Sequence, residues 1–240
     1  MVSTYSLGRL FRIRVGLHIS WVVLFAFVTW TLAQAFSDLT PLVAAALAAL
    51  CAMLLFASVV VHEFAHALVA RRFDVQTQGI TLFIFGGVAT LENEPPTPRA
   101  EVAIALAGPV VSGAIALAAA GAMAVCDRFD ATPLGAGAAI GFAYVAVANA
   151  VLAVFNLIPA FPMDGGRVLR ALLWMRTRDR RAATIAAALV GVTLAVCAVV
   201  ASLVMLGSTH AWPYAWYATL GGFIAWSGWT HLRTARTPAG

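Results

Sequence analysis

The sequence predicts an all-α polytopic membrane protein with six transmembrane helices, a short re-entrant β-hairpin on the cytoplasmic side and a broken fourth helix. Three observations support this fold class: the composition, six long apolar stretches and an uneven distribution of arginines. Residues of the set AVILMFWYC make up 62% of the 240 residues, and charged residues make up only 10%. A soluble domain is about 45–50% apolar and about 25% charged. This chain therefore has too few polar side chains to cover a soluble domain.

Six stretches have the roughly 20 mostly apolar residues that a transmembrane helix needs. Tryptophans near the ends of several stretches are typical of residues at a membrane interface. We expect the fourth span to continue to residue 176 after a break, and all of 1–240 to form a single transmembrane domain. The predicted spans are about 16–36, 42–70, 102–126, 136–158, 182–206 and 212–230.

The arginines define the expected topology. All 15 basic residues are arginines, and with six spans every one except Arg128 falls on the side that also holds both termini. The positive-inside rule places that side in the cytoplasm, so we expect a multi-pass protein of the cell (inner) membrane. The net charge of +5 does not indicate a nucleic-acid-binding protein, because the arginines form no basic stripe on a soluble fold. The lipid bilayer is the expected environment.

The start of the chain has a second interpretation. Three arginines, an apolar stretch and the sequence Ala33-Gln34-Ala35 resemble a signal peptide with its cleavage site. The apolar stretch is longer than the usual roughly 7–15 residues of such a peptide. We therefore expect the first span to be retained.

Between the second and third spans, residues 79–91 are apolar but too short to cross a membrane. The Ile, Thr, Phe and Val residues around Gly86 and Gly87 predict two short strands joined by a tight turn. The hairpin would either lie on the membrane surface or present a re-entrant edge to an extended peptide. Both interpretations stay open, and Gly86 and Gly87 are candidate substrate-binding residues under the second.

The end of the second span carries the sequence His62-Glu63-Phe64-Ala65-His66. Residues four apart share a face of a helix, so His62 and His66 can bind one Zn²⁺ ion. Glu63 can then take a proton from water as a general base. Charged side chains at membrane depth cost on the order of 3 kcal/mol or more. A set of three such groups in an apolar helix therefore indicates a site rather than packing.

A zinc hydrolase usually has three protein ligands and keeps one position for water. Asp164 is our candidate for the third ligand, because Pro159 and Pro162 break the helix before it and Gly165-Gly166 allow unusual backbone angles. Irregular backbone at membrane depth is tolerated only inside protein or against a cavity. Asp164 could instead be the N-cap of the following helix. His18, His210 and His231 are weaker candidates, although the expected depth of His18 in the membrane does not exclude it.

Three further polar residues flank this break. Asn156 either hydrogen-bonds a substrate backbone or satisfies carbonyl groups freed by the prolines, and we favour the first role. Arg167 and Arg170 are expected to be anchors at the membrane interface.

The HEFAH sequence and the later sequence NLIPAFPMDGGR together resemble the site-2 protease family of intramembrane zinc metalloproteases, of the bacterial type. The segment 85–89 and Gly108-Pro109 resemble this family as well. The resemblance implies one zinc ion held by His62, His66 and Asp164, with Glu63 as the catalytic base. It also implies single-pass membrane-protein substrates, cleaved in regulated intramembrane proteolysis or in the clearance of remnant signal peptides. Met163 departs from the Leu that is common in the family but keeps its size and apolarity.

Two other functions use the same residue types. A membrane metal or proton transporter would also place histidines and carboxylates in its spans, but the outer halves of these spans are nearly free of ionisable groups. A catalytically inactive relative would bind substrates without cutting them, and the intact Glu63 argues against this. The sequence leaves open the substrate, the scissile bond, the activating signal and the formation of a homo-oligomer. It also leaves open whether a C-terminal regulatory module follows.

Overall fold

The structure is a computed structural model that describes residues 4–10, 13–83, 86–129 and 132–236. Most of the described residues are helical, and one small sheet accompanies the helices. The contacts within the chain define two compact units. The first unit comprises residues 1–94 and 107–154, and the second comprises residues 95–106 and 155–240.

The first unit contains a four-stranded sheet in the order β1-β2-β3-β4. Strand β2 pairs parallel with β3, whereas the pairs β1–β2 and β3–β4 are antiparallel. The parallel pair requires a crossover connection, which two helices of this unit provide. The strands are β1 (Thr4–Leu10), β2 (Ile13–His18), β3 (Thr77–Phe83) and β4 (Gly86–Leu91).

The N-terminal strands correct the predicted start of the first span. Residues 16–18 belong to β2, and helix α1 (Ile19–Gln34) has only 16 residues. The strand follows from alternation, because Ile13 and Val15 are buried while Arg14 between them is exposed. The glycine and leucine that follow are apolar enough to merge with the helix in a hydropathy pattern.

The hairpin predicted after the second span corresponds to β3 and β4. Gly86 pairs with Phe83 and Gly87 pairs with Leu82, so both glycines lie in β4 rather than in the turn. The connecting residues 84–85 lie outside the described residues. In the described sheet β4 is an edge strand, which is the position that strand addition requires.

The sheet packs against helix α2 (Pro41–Arg71). Side chains of β2 and β3 form a buried cluster with Phe64 and Ala67 of α2; the strand residues in it are Ile13, Val15, Ile80 and Leu82. Phe64 lies between the two histidines of the HEFAH sequence. The sheet therefore holds the segment of α2 that carries the candidate ligands.

Within the described part of the chain, four helices are long and apolar enough to cross a membrane: α2, α3 (Pro98–Phe129), α4 (Pro133–Asn156) and α6 (Arg180–Thr209). They correspond to the second, third, fourth and fifth predicted spans. The first and sixth spans remain predictions. Helix α1 is short for a span, and α7 (Pro213–Arg236) has 24 residues but is less apolar.

The second unit contains α5 (Asp164–Thr177), α6 and α7. Helices α6 and α7 approach closely at two glycines of α7, because a Cβ atom added at Gly221 or Gly228 would lie 2.8 Å from a valine side chain of α6. Helix α4 ends at Asn156, and α5 begins at Asp164. The interruption predicted from the two prolines therefore occupies residues 157–163, and it includes a cis peptide bond between Phe161 and Pro162.

Candidate active site

The two histidines of α2 are buried and face each other. His62 is 3% exposed and His66 is 6% exposed. Their Nε2 atoms are 3.1 Å apart, and their ring planes are inclined at 76°. Two nitrogens bound to one zinc ion at about 2.0–2.1 Å in a tetrahedral arrangement stand roughly 3.3 Å apart. The imidazole pair therefore has the spacing of two ligands of a single ion.

Gly108 of α3 leaves the space in front of these nitrogen atoms. A Cβ atom added at this position would lie 2.5 Å from His62 Nε2 and closer still to His66 Nε2. Such distances are far below van der Waals contact, so no other residue fits here without displacing the imidazoles. Glycine at this position lets the backbone of α3 approach the two imidazoles closely.

Ser112 orients one of the imidazoles. Its hydroxyl oxygen is 2.9 Å from His62 Nδ1, and the side chain is fully buried. In the tautomer that donates the Nδ1 proton to Ser112, the lone pair of Nε2 is available to a metal. Sequence reasoning missed this residue. The signal that could have identified Ser112 is its lone hydroxyl group in an apolar span, one helical turn after Gly108.

Glu63 follows His62 in α2 and is partly buried. A carboxylate in this position lies within one helical turn of each histidine. It has the chemistry of a general base, as its place in the HEFAH sequence predicts.

Asp164 lies in the second unit as the first residue of α5, and it is 9% exposed. The N-cap of α5 is Met163, so the alternative role of Asp164 as N-cap is wrong. The two glycines after it also differ from expectation, since both are helical and neither has a positive φ. A Cβ atom at Gly166 would lie 2.7 Å from the carbonyl carbon of Ala160, and one at Gly165 would overlap the backbone oxygens of residues 157 and 158. The glycines allow α5 to begin directly against the preceding loop.

The other candidate site residues predicted from the sequence belong to other elements. Asn156 is the partly buried last residue of α4, and Gly86 and Gly87 begin β4. His18 is the N-cap of α1, where its Nδ1 atom accepts a hydrogen bond from the backbone N–H of Ser20. Among the described residues, the set with the chemistry and burial of metal ligands consists of His62, His66 and Asp164. The weaker candidates His18, His210 and His231 are not in that set.

Comparison with known proteins identifies the family. The model of Peptidase family M50 matches residues 50–131 and 131–200, which is more than half of the chain. The chain belongs to Peptidase family M50. The resemblance to the site-2 proteases is thereby confirmed, and with four apolar helices the protein is a multi-pass membrane protein.

Similar proteins within this family have names that describe zinc metalloproteases. Rip3 of Mycobacterium tuberculosis is 38% identical over 93% of this chain and 57% of its own length. The protein sll0528 of Synechocystis sp. strain PCC 6803 is 33% identical over 98% of this chain and 62% of its own length. The chain thus spans about three fifths of the length of these relatives.

Among solved structures, the chain is similar to the site-2 protease from Methanocaldococcus jannaschii. The two chains share 28% sequence identity and superpose with a TM-score of 0.62, over 99% of each chain.

The structure also assigns a role to Arg170 that differs from the expected one. Arg170 is not an interfacial anchor, because its side chain is only 13% exposed and it forms an ion pair with Glu101, whose side chain is fully buried. Glu101 was not among the predicted site residues. The 69 positions between the two residues gave sequence reasoning no reason to pair them.

Proposed function

We propose that this protein is an intramembrane zinc metalloprotease that hydrolyses a peptide bond within or near the transmembrane segment of single-pass membrane proteins. The observation that carries the proposal is the buried His62–His66 pair, with its Nε2 atoms 3.1 Å apart, next to Glu63 in an apolar helix of 31 residues. Membership of Peptidase family M50 and the names of the relatives support it.

We assign the zinc ligands to His62, His66 and Asp164. Each offers one ligand atom, and each is buried. Two neutral imidazoles and one carboxylate are a donor set that zinc hydrolases use, and three protein ligands leave a position for water or substrate. A bound zinc ion supplies Lewis acidity, which polarises a carbonyl group and makes water a stronger acid.

The protein residues around this position have distinct tasks in the proposed reaction. Glu63 accepts the proton of the attacking water and returns it to the leaving amine. Ser112 holds His62 in the tautomer that keeps Nε2 unprotonated. Gly108 keeps the space in front of the imidazoles clear.

Binding of the substrate requires that its helix unwinds, because a helical peptide bond is hidden in hydrogen bonds. The edge strand β4 offers backbone groups with which an unwound segment can pair as an added strand. Gly86 and Gly87 allow close approach of the substrate backbone to that strand. The side-chain amide of Asn156 is proposed to hydrogen-bond a substrate carbonyl or N–H group.

The proposed location is the cell (inner) membrane, with both termini in the cytoplasm. The arginine distribution supports this orientation through the positive-inside rule. His62 and His66 precede Arg71 by nine and five residues, which corresponds to roughly 8–14 Å of helix. The site would then lie below the cytoplasmic face of the membrane. Formation of a homo-oligomer is compatible with this arrangement.

The test compares the wild-type protein with Glu63→Gln in detergent micelles, using single-pass membrane proteins as substrates. The amide cannot act as a general base, so cleavage should fall by about 10²–10⁴-fold. The zinc content should stay at that of the wild type, which controls for loss of the site itself. Cleavage by the variant at the wild-type rate would contradict the proposal.

A further inference from the structure

The second unit contains a buried ion pair between α3 and α5. Glu101 lies in the first turn of α3 and has no exposed surface. Arg170 of α5 donates from Nε to Glu101 Oε1 at 2.8 Å, and its Nη2 donates to the same oxygen. Because two donors of one planar guanidinium share a single acceptor oxygen, the contact restricts the orientation of the Arg170 side chain as well as its distance from Glu101.

The same guanidinium contacts the loop that precedes Asp164. Arg170 lies over the ring of Phe161, 5.5 Å from the ring centroid. Phe161 is 2% exposed and also stacks on the ring of His231 of α7, with 4.5 Å between the ring centroids. Arg170 thus connects the first turn of α3, the loop 157–163 and helix α5.

We propose that Glu101 and Arg170 are positioning residues that fix the orientation of α5, and through it the position of the Asp164 carboxylate for zinc. This inference rests on the proposed function, because it takes Asp164 as a zinc ligand. Helix α5 is held at its start, where Gly165 and Gly166 pack on the loop backbone. It is held again six residues later by Arg170, about 9 Å along the axis and roughly 120° around it from Asp164. Contacts at two such points oppose both rotation and sliding of the helix.

A contribution to folding stability does not by itself explain why this ion pair is buried. Removing two charges from water costs free energy, and apolar residues of similar volume in place of a buried pair are often neutral or stabilising. The second oxygen of Glu101, Oε2, is buried and has no hydrogen-bond partner among the described residues, so the pair does not recover the full cost of its burial. Apolar residues would not reproduce the directional contact at Glu101 Oε1.

The experiment uses the full chain in detergent micelles with the variants R170Q and E101L/R170M. The matched control is R181Q, because Arg181 lies in the same unit and donates to the carbonyl oxygens of Ala235 and Arg236 at 2.7 Å each. Two quantities are measured: the zinc Kd, by competition with a chromophoric chelator, and the midpoint of thermal unfolding of the zinc-free protein.

We expect R170Q and E101L/R170M to raise the zinc Kd by about 10–100-fold, the range for residues that orient metal ligands. The unfolding midpoint of E101L/R170M should stay near that of the wild type, and R181Q should leave the zinc Kd unchanged. A folded E101L/R170M with the wild-type Kd would overturn the inference. If this double variant does not fold, R170K decides: it keeps the charge without the planar fork, so a raised Kd supports the inference and an unchanged Kd overturns it.

D164A separates this inference from the proposed function. If the wild type binds zinc no more tightly than D164A, the assignment of Asp164 fails and the positioning role falls with it. If D164A weakens zinc binding but R170Q, R170K and E101L/R170M do not, the positioning role alone is wrong.

Discussion

The histidine pair of α2 and the aspartate at the start of α5 are built in different ways. His62 and His66 lie in an uninterrupted helix, where their spacing of four residues places them on one face, and their Nε2 atoms are 3.1 Å apart. Asp164 follows an interruption of the fourth span, directly before two glycines packed against backbone carbonyl groups, and its helix α5 forms an ion pair with α3. The first region is therefore defined by local helix geometry, and the second by tertiary contacts.

This difference determines how each region should respond to substitution. Around the histidines, the atoms that an added methyl group would meet belong to side chains, which can rotate. Around Asp164 they belong to the backbone, which moves only with the loop and the helix. We therefore expect a methyl group added near the histidines to affect zinc binding alone, and a methyl group added next to Asp164 to affect both zinc binding and folding.

Gly165→Ala should have the largest effect. The added methyl group overlaps backbone oxygens of residues 157 and 158, so α5 must separate from the loop. We expect a loss of stability of about 1–3 kcal/mol or more together with loss of zinc binding, measured by thermal unfolding and by chelator competition. Gly207→Ala in α6 is the matched control, because nothing lies within 4 Å of a Cβ atom at that position. Wild-type stability of Gly165→Ala would contradict the difference between the two regions.

Gly108→Ala should come next and should affect zinc binding alone. The methyl group would occupy the space in front of both Nε2 atoms and displace the imidazoles. We therefore expect the zinc Kd to rise by more than about 100-fold, which exceeds the usual effect of substituting a residue that only orients a metal ligand. Gly113→Ala, in the same helix but with open space at Cβ, should leave the Kd unchanged. A parallel fall in the unfolding midpoint of zinc-free Gly108→Ala would show that the two regions do not differ as described.

Ser112→Ala should have the smallest effect of the three. It removes the partner of His62 Nδ1 without adding volume, so we expect the zinc Kd to rise by about 10–100-fold with little change in folding. Ser58→Ala is the matched control, since Ser58 is also buried but donates only to Leu55 O of its own helix, at 2.7 Å. Equal Kd values for the two variants would remove Ser112 from the site.

Local patterns in the chain were sufficient for several of these features. Apolar runs of more than about 20 residues in 42–70, 102–126, 136–158 and 182–206 predicted four helices that the structure contains, because the length and composition of a segment decide whether it can cross a bilayer as a helix. The HEFAH spacing predicted a histidine pair for the same reason, since helix geometry is periodic. Pro159 and Pro162 predicted where the fourth span would break.

Other features depended on the tertiary structure. Ser112 meets His62 across 50 positions of the chain, and Glu101 meets Arg170 across 69; no periodicity relates such residues. The N-terminal strands were taken for part of a span because β2 gains its partner, β3, only after two helices have brought the chain back. Hydropathy records how much apolar surface a segment must bury, whereas the choice of partner depends on which distant segments fold against each other.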